Sequence, residues 1–439
     1  MDSQHDSPTI GVGMVGYAFM GRAHSHAWRT VACAFDLPRR PVMAALAGRE
    51  RAALEEAARR QLWAATDTDW RALIARPDVQ LVDICTPGSS HAEIAIAALE
   101  AGKHVLCEKP LANTVEEAEA MAAAAAEASR HGVRSMVGFS YRRTPALALA
   151  RRLIADGRLG SLRHVRAQYL QDWIVDPEFP LVWRLQREHA GSGALGDLGA
   201  HIVDLAQYLV GEPLTGVSAL TETFVRERPL PAAASGLAAV ADGTAPRGPV
   251  TVDDAALFTG RFPGGAIASF EATRVAAGRK NALRIEINGD RGSIAFDLER
   301  LNELDFHDHT EASETAGFRR ILVTEPDHPY LDGWWPPGHG LGYDHTFVHQ
   351  VRDLLSAIDE GRDPEPSFAD GLRVQRVLAA VEHSAANGSA WTPVVHESAA
   401  QGGPPPASGT DAPSSGTDAP ASGTHAPSSG TDDPVAVAP

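Results

Sequence analysis

The sequence predicts an α/β protein with two domains. The N-terminal domain is expected to hold a parallel sheet wrapped by helices, and the second domain is expected to be α+β with a largely antiparallel open sheet. Short apolar runs alternate with Ala-rich helical stretches in the first third of the chain. A glycine-rich run lies between the first apolar run and the first helix. Beyond residue 140 the alternation ends, and strand-like runs follow one another across short turns.

Five strands and four helices are predicted in the first domain. The strands are residues 9–12, 41–47, 81–86, 104–107 and 135–139. The helices are residues 17–30, 49–60, 91–101 and 114–131. Gly102 follows the third helix as a typical αL cap, and Thr114 with Glu117 form a capping box at the start of the fourth. We expect this domain to span residues 9–139, after a flexible N-terminus of residues 1–8.

The second domain is expected to span residues 140–396. Its predicted helices are residues 147–156, 197–210, 345–360 and 368–387, and its strands are residues 165–170, 256–262, 266–273 and 283–289. The turn Pro263-Gly264-Gly265 predicts a hairpin, and residues 229–249 are expected to form a surface loop. Residues 397–439 repeat a Ser-Gly-Thr-Asp-Ala-Pro unit with no large apolar residue, so we expect a disordered tail.

Composition excludes several classes of partner. The chain has 439 residues, 44% of them hydrophobic, which allows sizeable cores. A net charge of -17 argues against nucleic acid and against anionic membrane surfaces. No apolar run approaches the roughly 18 residues that span a bilayer, and the polar N-terminus is unlike a signal peptide. Cys33, Cys85 and Cys107 form no C-x-x-C pair, so we expect reduced thiols, no metal site and a cytoplasmic location.

The glycine-rich run predicts a dinucleotide site. Gly11, Gly13 and Gly16 have the G-x-G-x-x-G spacing that lets a backbone turn approach a pyrophosphate at a helix N-terminus. Three glycines alone are weak evidence, because 40 of the 439 residues are glycine. Their place between a predicted strand and a predicted helix is the context that the Rossmann fingerprint requires.

Two further segments carry candidate catalytic residues. Lys109 lies in Glu108-Lys109-Pro110, after a strand and at the sheet edge where ligands of open α/β folds bind. Asp197 and His201 are four residues apart, which places both on one face of a helix. The alternatives are a solvated loop lysine and a structural histidine with a helix-start charge. Nearby glycines are costly in a helix and indicate that something packs close to this backbone.

These segments, in this order and at these separations, resemble the Gfo/Idh/MocA oxidoreductases. The resemblance includes Thr86-Pro87 followed by His91, although Gly88 stands where that family usually has Asn. It covers the chain from about Ile10 to Val395. Within the family, stretches such as Tyr141-Arg-Arg-Thr-Pro and Tyr169-Leu-Gln-Asp-Trp are similar to the levoglucosan dehydrogenases, and the inositol dehydrogenases are next. Both subgroups oxidise a ring secondary alcohol.

The resemblance implies residue roles and an oligomer. His201 would be the general base, Lys109 would stabilise the alkoxide, and Asp197 would bind a neighbouring hydroxyl. Candidate cofactor-binding residues are Gly11, Gly13, Val15, Gly16, Arg49, Thr86, Pro87, His91, Glu108 and Lys109. Candidate substrate-binding residues are Tyr141, Gln171, Trp173, Arg184, Asp197 and His201. The open sheet commonly supplies an oligomer interface, so a homo-dimer or homo-tetramer with a sugar or polyol substrate is expected.

The cofactor and the reaction class keep alternatives. Arg49 follows the second strand, where it could accept the 2′-phosphate of NADP or stack on adenine, whereas Glu50 and the family resemblance favour NAD. We predict NAD, with NADP as the alternative. The predicted function is a dehydrogenase. The alternatives are a redox-assisted glycosidase, which would release no net NADH, and a non-catalytic NAD-binding regulator built on the same fold.

Overall fold

The computed structural model describes residues 8–231 and 245–396. The flexible N-terminus and the disordered tail that the sequence predicts fall on residues 1–7 and 397–439, outside the described residues. The same holds for residues 232–244 of the predicted surface loop. Within the described residues the predicted fold class is confirmed, because a parallel sheet is followed by a mixed, largely antiparallel sheet.

The first sheet has six parallel strands in the order β3-β2-β1-β4-β5-β6. The strands are β1 (Thr9–Val15), β2 (Arg40–Ala47), β3 (Ala65–Asp67), β4 (Leu81–Ile84), β5 (His104–Cys107) and β6 (Ser135–Val137). The helices are α1 (Phe19–Ala34), α2 (Arg51–Gln61), α3 (Trp70–Ala75), α4 (His91–Glu100) and α5 (Val115–Arg130). The α5 capping box of Thr114 and Glu117 is confirmed. Sequence analysis missed β3 and α3, which are three and six residues long.

The second sheet has nine strands in the order β16-β15-β14-β13-β7-β12-β11-β8-β17. Its neighbouring strands pair antiparallel except β7 with β12. The strands are β7 (Leu162–Leu170), β8 (Gly216–Glu222), β11 (Ala255–Arg261), β12 (Ile267–Thr273), β13 (Ala282–Gly289), β14 (Gly292–Asp297), β15 (Glu303–Asp308), β16 (Arg319–Leu322) and β17 (Thr392–Pro393). The hairpin predicted at Pro263-Gly264-Gly265 joins β11 to β12, and Gly265 has φ +93.

Three helices of the second domain, α6 (Pro145–Ala155), α8 (Ala200–Val210) and α10 (Phe368–Ala386), cover one face of this sheet. Two further helices are α7 (Arg187–Ala190) and α9 (His345–Glu360). Apolar residues of α6, α8 and α10 share a core with inward-facing strand residues such as Phe258 and Ile285. The opposite face stays exposed, where Leu220 and Leu257 lie side by side on β8 and β11.

Helix α9 packs on the first domain although it follows the second sheet in sequence. Its Phe347, Val351 and Leu354 lie in one buried cluster with Trp28 and Val31 of α1. The two domains therefore share core elements. The two ends of the predicted surface loop pair with each other, because β9 (Glu227–Pro229) and β10 (Arg247–Pro249) form an antiparallel ribbon. No helix among the described residues is long and apolar enough to cross a membrane.

Candidate active site

The strand-to-helix turn after β1 has the backbone shape of a dinucleotide site. Gly16 has φ +101, and an added Cβ would lie 2.7 Å from the carbonyl oxygen of Cys85. A side chain at Gly21 would overlap the Gly16 carbonyl, so α1 starts close against the turn. Gly16, Ala18 and Gly21 therefore occupy the three positions of the fingerprint, with alanine at the second.

This geometry corrects the prediction for Gly11 and Gly13. The sequence prediction ended the first strand at residue 12, but β1 continues to Val15, so both glycines lie inside a strand and not in the turn. A Cβ at Gly11 would overlap the Asp78 carbonyl, and one at Gly13 would lie 2.6 Å from Leu73 Cδ2. These two glycines allow close packing within the domain, and Gly16 is the glycine of this run that lies in the turn. Val15, as the last strand residue, remains next to the turn.

Arg49 lies beside the same turn. The Gly16 amide donates to the carbonyl of Ala47, the last residue of β2, at 3.0 Å. The next residue is Gly48, and the Tyr17 ring occupies the space that a side chain at Gly48 would need. Arg49 follows and is exposed. The position is the one at which Rossmann domains contact the adenosine ribose, so Arg49 stays a candidate cofactor residue.

The Thr86-Pro87 loop follows β4, and the buried side chain of His91 contacts its backbone. His91 is 1% exposed; its Nε2 lies 2.9 Å from the Thr86 carbonyl, and its Nδ1 lies 3.0 Å from the Pro110 carbonyl. Burial lowers the pKa of His91. Its ring lies between the two loops at the sheet edge, where a neutral imidazole donates to one of these two carbonyl oxygens. His91 therefore supports the loop that carries Thr86 and Pro87, and the cofactor contacts predicted for these residues stay predictions.

Lys109 and Asp197 meet across the two domains. The Lys109 ammonium donates to the Asp197 backbone carbonyl at 2.8 Å and lies 3.4 Å from its Oδ1. The two residues are 88 positions apart in sequence. The interpretation of Lys109 as a solvated loop residue is therefore wrong. Glu108, the preceding residue, turns inward and is 4% exposed, with its carboxylate against His24 and the Lys109 backbone amide. Its predicted cofactor contact stays a prediction.

A π turn places Asp197 at the start of α8. Residues Leu195–Gly199 form this wider turn, which is often found at functional sites. Asp253 anchors it: its Oδ1 accepts from the Gly193 amide at 2.7 Å and its Oδ2 from the Leu195 amide at 2.8 Å. A Cβ at Gly193 would overlap the Asp253 backbone, which explains one of the glycines noted in the sequence. Sequence analysis missed Asp253, because its role depends on a contact about 60 residues away.

Three cations surround the Asp197 carboxylate. They are Lys109, Arg184 and Arg274, the last with its Nη1 3.9 Å from Asp197 Oδ2. Burial alone would raise the pKa of Asp197, but the three cations outweigh it and lower the pKa to about 2. Asp197 is therefore an anion at neutral pH. Among the described residues no group hydrogen-bonds the Arg184 guanidinium, which leaves its donors available to a ligand.

His201 lies on α8 and is 9% exposed. Burial lowers its pKa well below the ordinary value, and the nearby Lys109 lowers it further. The imidazole is therefore neutral at pH 7, the form that can accept a proton. Its Nδ1 is buried and has no hydrogen-bond partner among residues 8–231 and 245–396. The alternative of a histidine satisfied by core contacts does not describe this side chain.

Aromatic rings surround His201. The Tyr141 ring is centred 4.6 Å away, and its hydroxyl lies 2.8 Å from that of Tyr169. Tyr169 donates to Asn281 Oδ1 at 2.7 Å, and Gln171 Nε2 donates to the same oxygen at 2.8 Å. The predicted residues Tyr141 and Gln171 thus belong to one hydrogen-bond network beside the candidate base.

Two other aromatic residues flank the network. Trp173 packs edge-on against Phe179 at 5.2 Å, with the Arg274 guanidinium 5.5 Å from its ring. Tyr343, which sequence analysis missed, is centred 6.2 Å from Tyr141. It precedes α9 in an irregular segment and therefore carried no local signal. Tyr343 therefore lies beside the network, and Trp173 packs against a buried apolar cluster of the second domain.

Comparison with known proteins identifies the family. The family model described as oxidoreductase family, NAD-binding Rossmann fold, matches residues 10–139, and the GFO/IDH/MocA C-terminal domain model matches residues 147–295. Levoglucosan dehydrogenase of Pseudarthrobacter phenanthrenivorans is 46% identical over 393 residues, which are 89% of this chain and 99% of that protein.

Two solved structures extend the comparison. An oxidoreductase domain protein from Kribbella flavida has a TM-score of 0.84 and 64% identity, over 89% of this chain and 100% of that one. A levoglucosan dehydrogenase in complex with NADH and levoglucosan has a TM-score of 0.82 and 44% identity, over 88% of this chain and 100% of that one. The two family models and the 46% identical relative show that the chain belongs to the Gfo/Idh/MocA family of NAD-binding oxidoreductases.

Proposed function

We propose that this protein is an NAD-dependent dehydrogenase that oxidises a ring secondary hydroxyl of levoglucosan or a closely related sugar to a ketone. The observation that carries the proposal is the meeting of Lys109 with the Asp197 and His201 segment. The 46% identical levoglucosan dehydrogenase supports the choice of substrate class. The tight backbone turn at Gly16 fits a dinucleotide pyrophosphate, and Ala18 is the N-cap residue of α1.

NAD, when bound, supplies the hydride acceptor. The protein supplies the proton chemistry. Neutral His201 takes the hydroxyl proton, since its depressed pKa keeps the acceptor nitrogen free. The Lys109 ammonium donates a hydrogen bond to the same oxygen and stabilises the negative charge that develops there. Asp197 accepts from a neighbouring hydroxyl and holds Lys109 in place.

The first experiment identifies the reaction. NADH formation is followed by absorbance with levoglucosan, glucose, a glucoside and myo-inositol, each with NAD and with NADP. We expect turnover with levoglucosan and NAD. Glycoside cleavage without net NADH would identify the redox-assisted glycosidase instead. Binding of NAD with no turnover of any sugar would favour the regulator.

The second experiment tests the residues. His201→Asn should lower kcat about 10²–10⁴-fold, the usual loss for a general base, while NADH binding measured by fluorescence is retained. Lys109→Met should be comparably damaging, because the developing alkoxide loses its cation. His131→Asn is the matched control, since His131 is an exposed histidine on the first domain. Near wild-type turnover in both active-site variants would contradict the mechanism.

We also propose that a second copy of the chain covers the open face of the second sheet. This face carries a groove of about 710 Å³, lined in part by Leu220 and Leu257. Arginine and carboxylate side chains alternate across it, as in the pair of Arg166 with Glu286 at 3.0 Å. Because positive and negative side chains lie on the same face, this face is complementary to itself. It therefore suits a two-fold interface, in which the same surface of each copy contacts the other.

A further inference from the structure

A buried ionisable cluster lies directly beneath the Lys109 loop. We call it the His24 cluster: His24 of α1, Asp83 of β4 and Glu108, the residue after β5. The three residues are 1%, 0% and 4% exposed. Neither the predicted cofactor turn nor the proposed proton chemistry accounts for them, and burial of two carboxylates requires partners.

His24 faces a carboxylate with each ring nitrogen. Its Nδ1 lies 3.0 Å from both Asp83 oxygens, and its Nε2 lies 3.0 Å from Glu108 Oε1. A neutral imidazole carries one N–H, and an ionised carboxylate only accepts. Two hydrogen bonds therefore require an additional proton, and an imidazolium between two carboxylates satisfies both nitrogens.

The surroundings retain that proton. Asp83 of β4 accepts two further hydrogen bonds. The thiol of Cys85, just after β4, donates to it at 3.5 Å, and the indole N–H of Trp28 on α1 donates to it at 2.7 Å. Phe347 of α9 packs 5.4 Å from the His24 ring and closes the site. Burial alone would lower the pKa of His24, but chiefly the Asp83 carboxylate raises it well above the ordinary value.

The cluster reaches the active site through Glu108. One Glu108 oxygen is held by His24, and the other accepts from the Lys109 backbone amide at 3.2 Å. A Cβ at Gly138 would lie 2.7 Å from Glu108 Oε1, so the neighbouring strand end leaves the carboxylate little room. The backbone that carries Lys109 is thus tied to a charge buried on α1.

We propose that His24 is a positioning residue for the active site: as an imidazolium it fixes Glu108, and through the Glu108–Lys109 hydrogen bond it sets where the Lys109 ammonium lies. The consequence for turnover rests on the proposed function of Lys109. His24, Asp83 and Cys85 also lie close enough to share a metal ion. Both imidazole nitrogens already hydrogen-bond to carboxylates, however, and Trp28 takes up an Asp83 oxygen, so the donor set suits a shared proton better.

The direct test measures the protonation of His24 in the full-length protein. ¹⁵N-histidine NMR distinguishes an imidazolium from either neutral tautomer, and the His24 signals are identified by their proximity to the Trp28 indole proton. We expect both nitrogens to stay protonated from pH 6 to about pH 9. A neutral ring at pH 7.5 would overturn the proposal. This measurement needs no variant and no turnover, so it stands whether or not the proposed dehydrogenase activity is found.

The second test measures positioning. His24→Gln cannot donate to both carboxylates, so we expect the Lys109 amide resonance to shift and its hydrogen exchange to speed up. With the sugar substrate, kcat should fall at least tenfold while the KM for NAD changes by less than about twofold. His26→Gln is the matched control, because His26 lies on the same helix and pairs with Asp344 in solvent. An unchanged Lys109 amide in folded His24→Gln would refute positioning, and an unchanged kcat alone would refute its importance for turnover.

Discussion

His201 and Asp197 are adjacent on one turn of backbone yet have opposite electrostatic settings. Three cations hold the Asp197 carboxylate ionised, with its pKa near 2. Burial and the same Lys109 cation keep His201 neutral. One lysine therefore favours the anion of its carboxylate neighbour and the uncharged form of its imidazole neighbour. This separation of protonation states supports the proposed roles, with His201 as the proton acceptor and Asp197 as a partner for hydroxyl groups.

The low pKa of His201 predicts the pH dependence of activity. The protonated imidazole is inactive as a base, and a lowered pKa moves its formation to lower pH. The acid limb of kcat/KM, which reports the free enzyme, should therefore lie clearly below pH 6.5. The rate of NADH formation is measured from pH 5 to 9, with return to pH 7.5 as the control for denaturation. A limb centred at or above pH 6.5 would contradict the assignment.

Arg49 makes a prediction about cofactor choice. Its exposed guanidinium lies beyond β2, next to the Gly16 turn. If it pairs with a 2′-phosphate, Arg49→Ala should lower kcat/KM for NADP about tenfold or more, since a charge-assisted bond is worth about 1.5–3 kcal/mol. The value for NAD should change by less than about threefold. Arg51→Ala, at an exposed position nearby, is the control. Equal losses with both cofactors would indicate adenine stacking instead.

At the scale of elements, β1 shows where sequence reasoning failed. Glycines at 11, 13 and 16 match the fingerprint spacing, but so do Gly16, Ala18 and Gly21 if alanine is accepted at the second position. The choice depends on where the strand ends. Val15 pairs with Ala47 on one side and with Ile84 on the other, so tertiary pairing extends β1 through the first glycines. Residue spacing alone contains no information about those partners.

The two possible placements of the fingerprint, one starting at Gly11 and one at Gly16, predict different consequences of substitution. Gly13→Val should destabilise the fold by several kcal/mol, because the side chain would overlap Leu73 and Val79 in a packed core. Gly16→Val should abolish NADH binding, since its φ of +101 and its distance to Cys85 leave no room for a side chain. Thermal denaturation and NADH fluorescence separate the two. A stable Gly13→Val protein that has lost NADH affinity would restore the rejected register.

What the sequence did predict depends on local signals. The α5 capping box needs only Thr114 and Glu117, and the placement of Asp197 and His201 on successive helical turns needs only local spacing. Asp253, Arg274 and His24 were missed, because each acts through contacts with distant segments. The glycines before Asp197 indicated a close neighbour without naming it. Local chemistry was therefore readable, and the residues that position it were not.

At the scale of the whole molecule, the open face of the second sheet predicts the oligomeric state. Leu257→Glu would place a charge opposite Leu220, within the proposed interface. We expect sedimentation to show a smaller assembly than the wild type. Leu62→Glu, at an exposed leucine of the first domain, should leave the assembly unchanged. A monomeric wild-type protein, or an unaltered assembly of the Leu257 variant, would refute the proposed interface.

The packing of α9 on α1 has a consequence for modularity. A contiguous cut after the first sheet would remove Phe347, Val351 and Leu354 and leave Trp28 and Val31 without their cover. At about 25 cal/mol per Å² of apolar surface, losing such side-chain contacts costs several kcal/mol, a large share of the net stability of a domain. We therefore expect that the first domain cannot be moved into another protein without α9. A chimaera that carries a relative's first domain should fold only if it also carries that relative's α9. Recombination between family members therefore has to exchange two separate stretches of the chain.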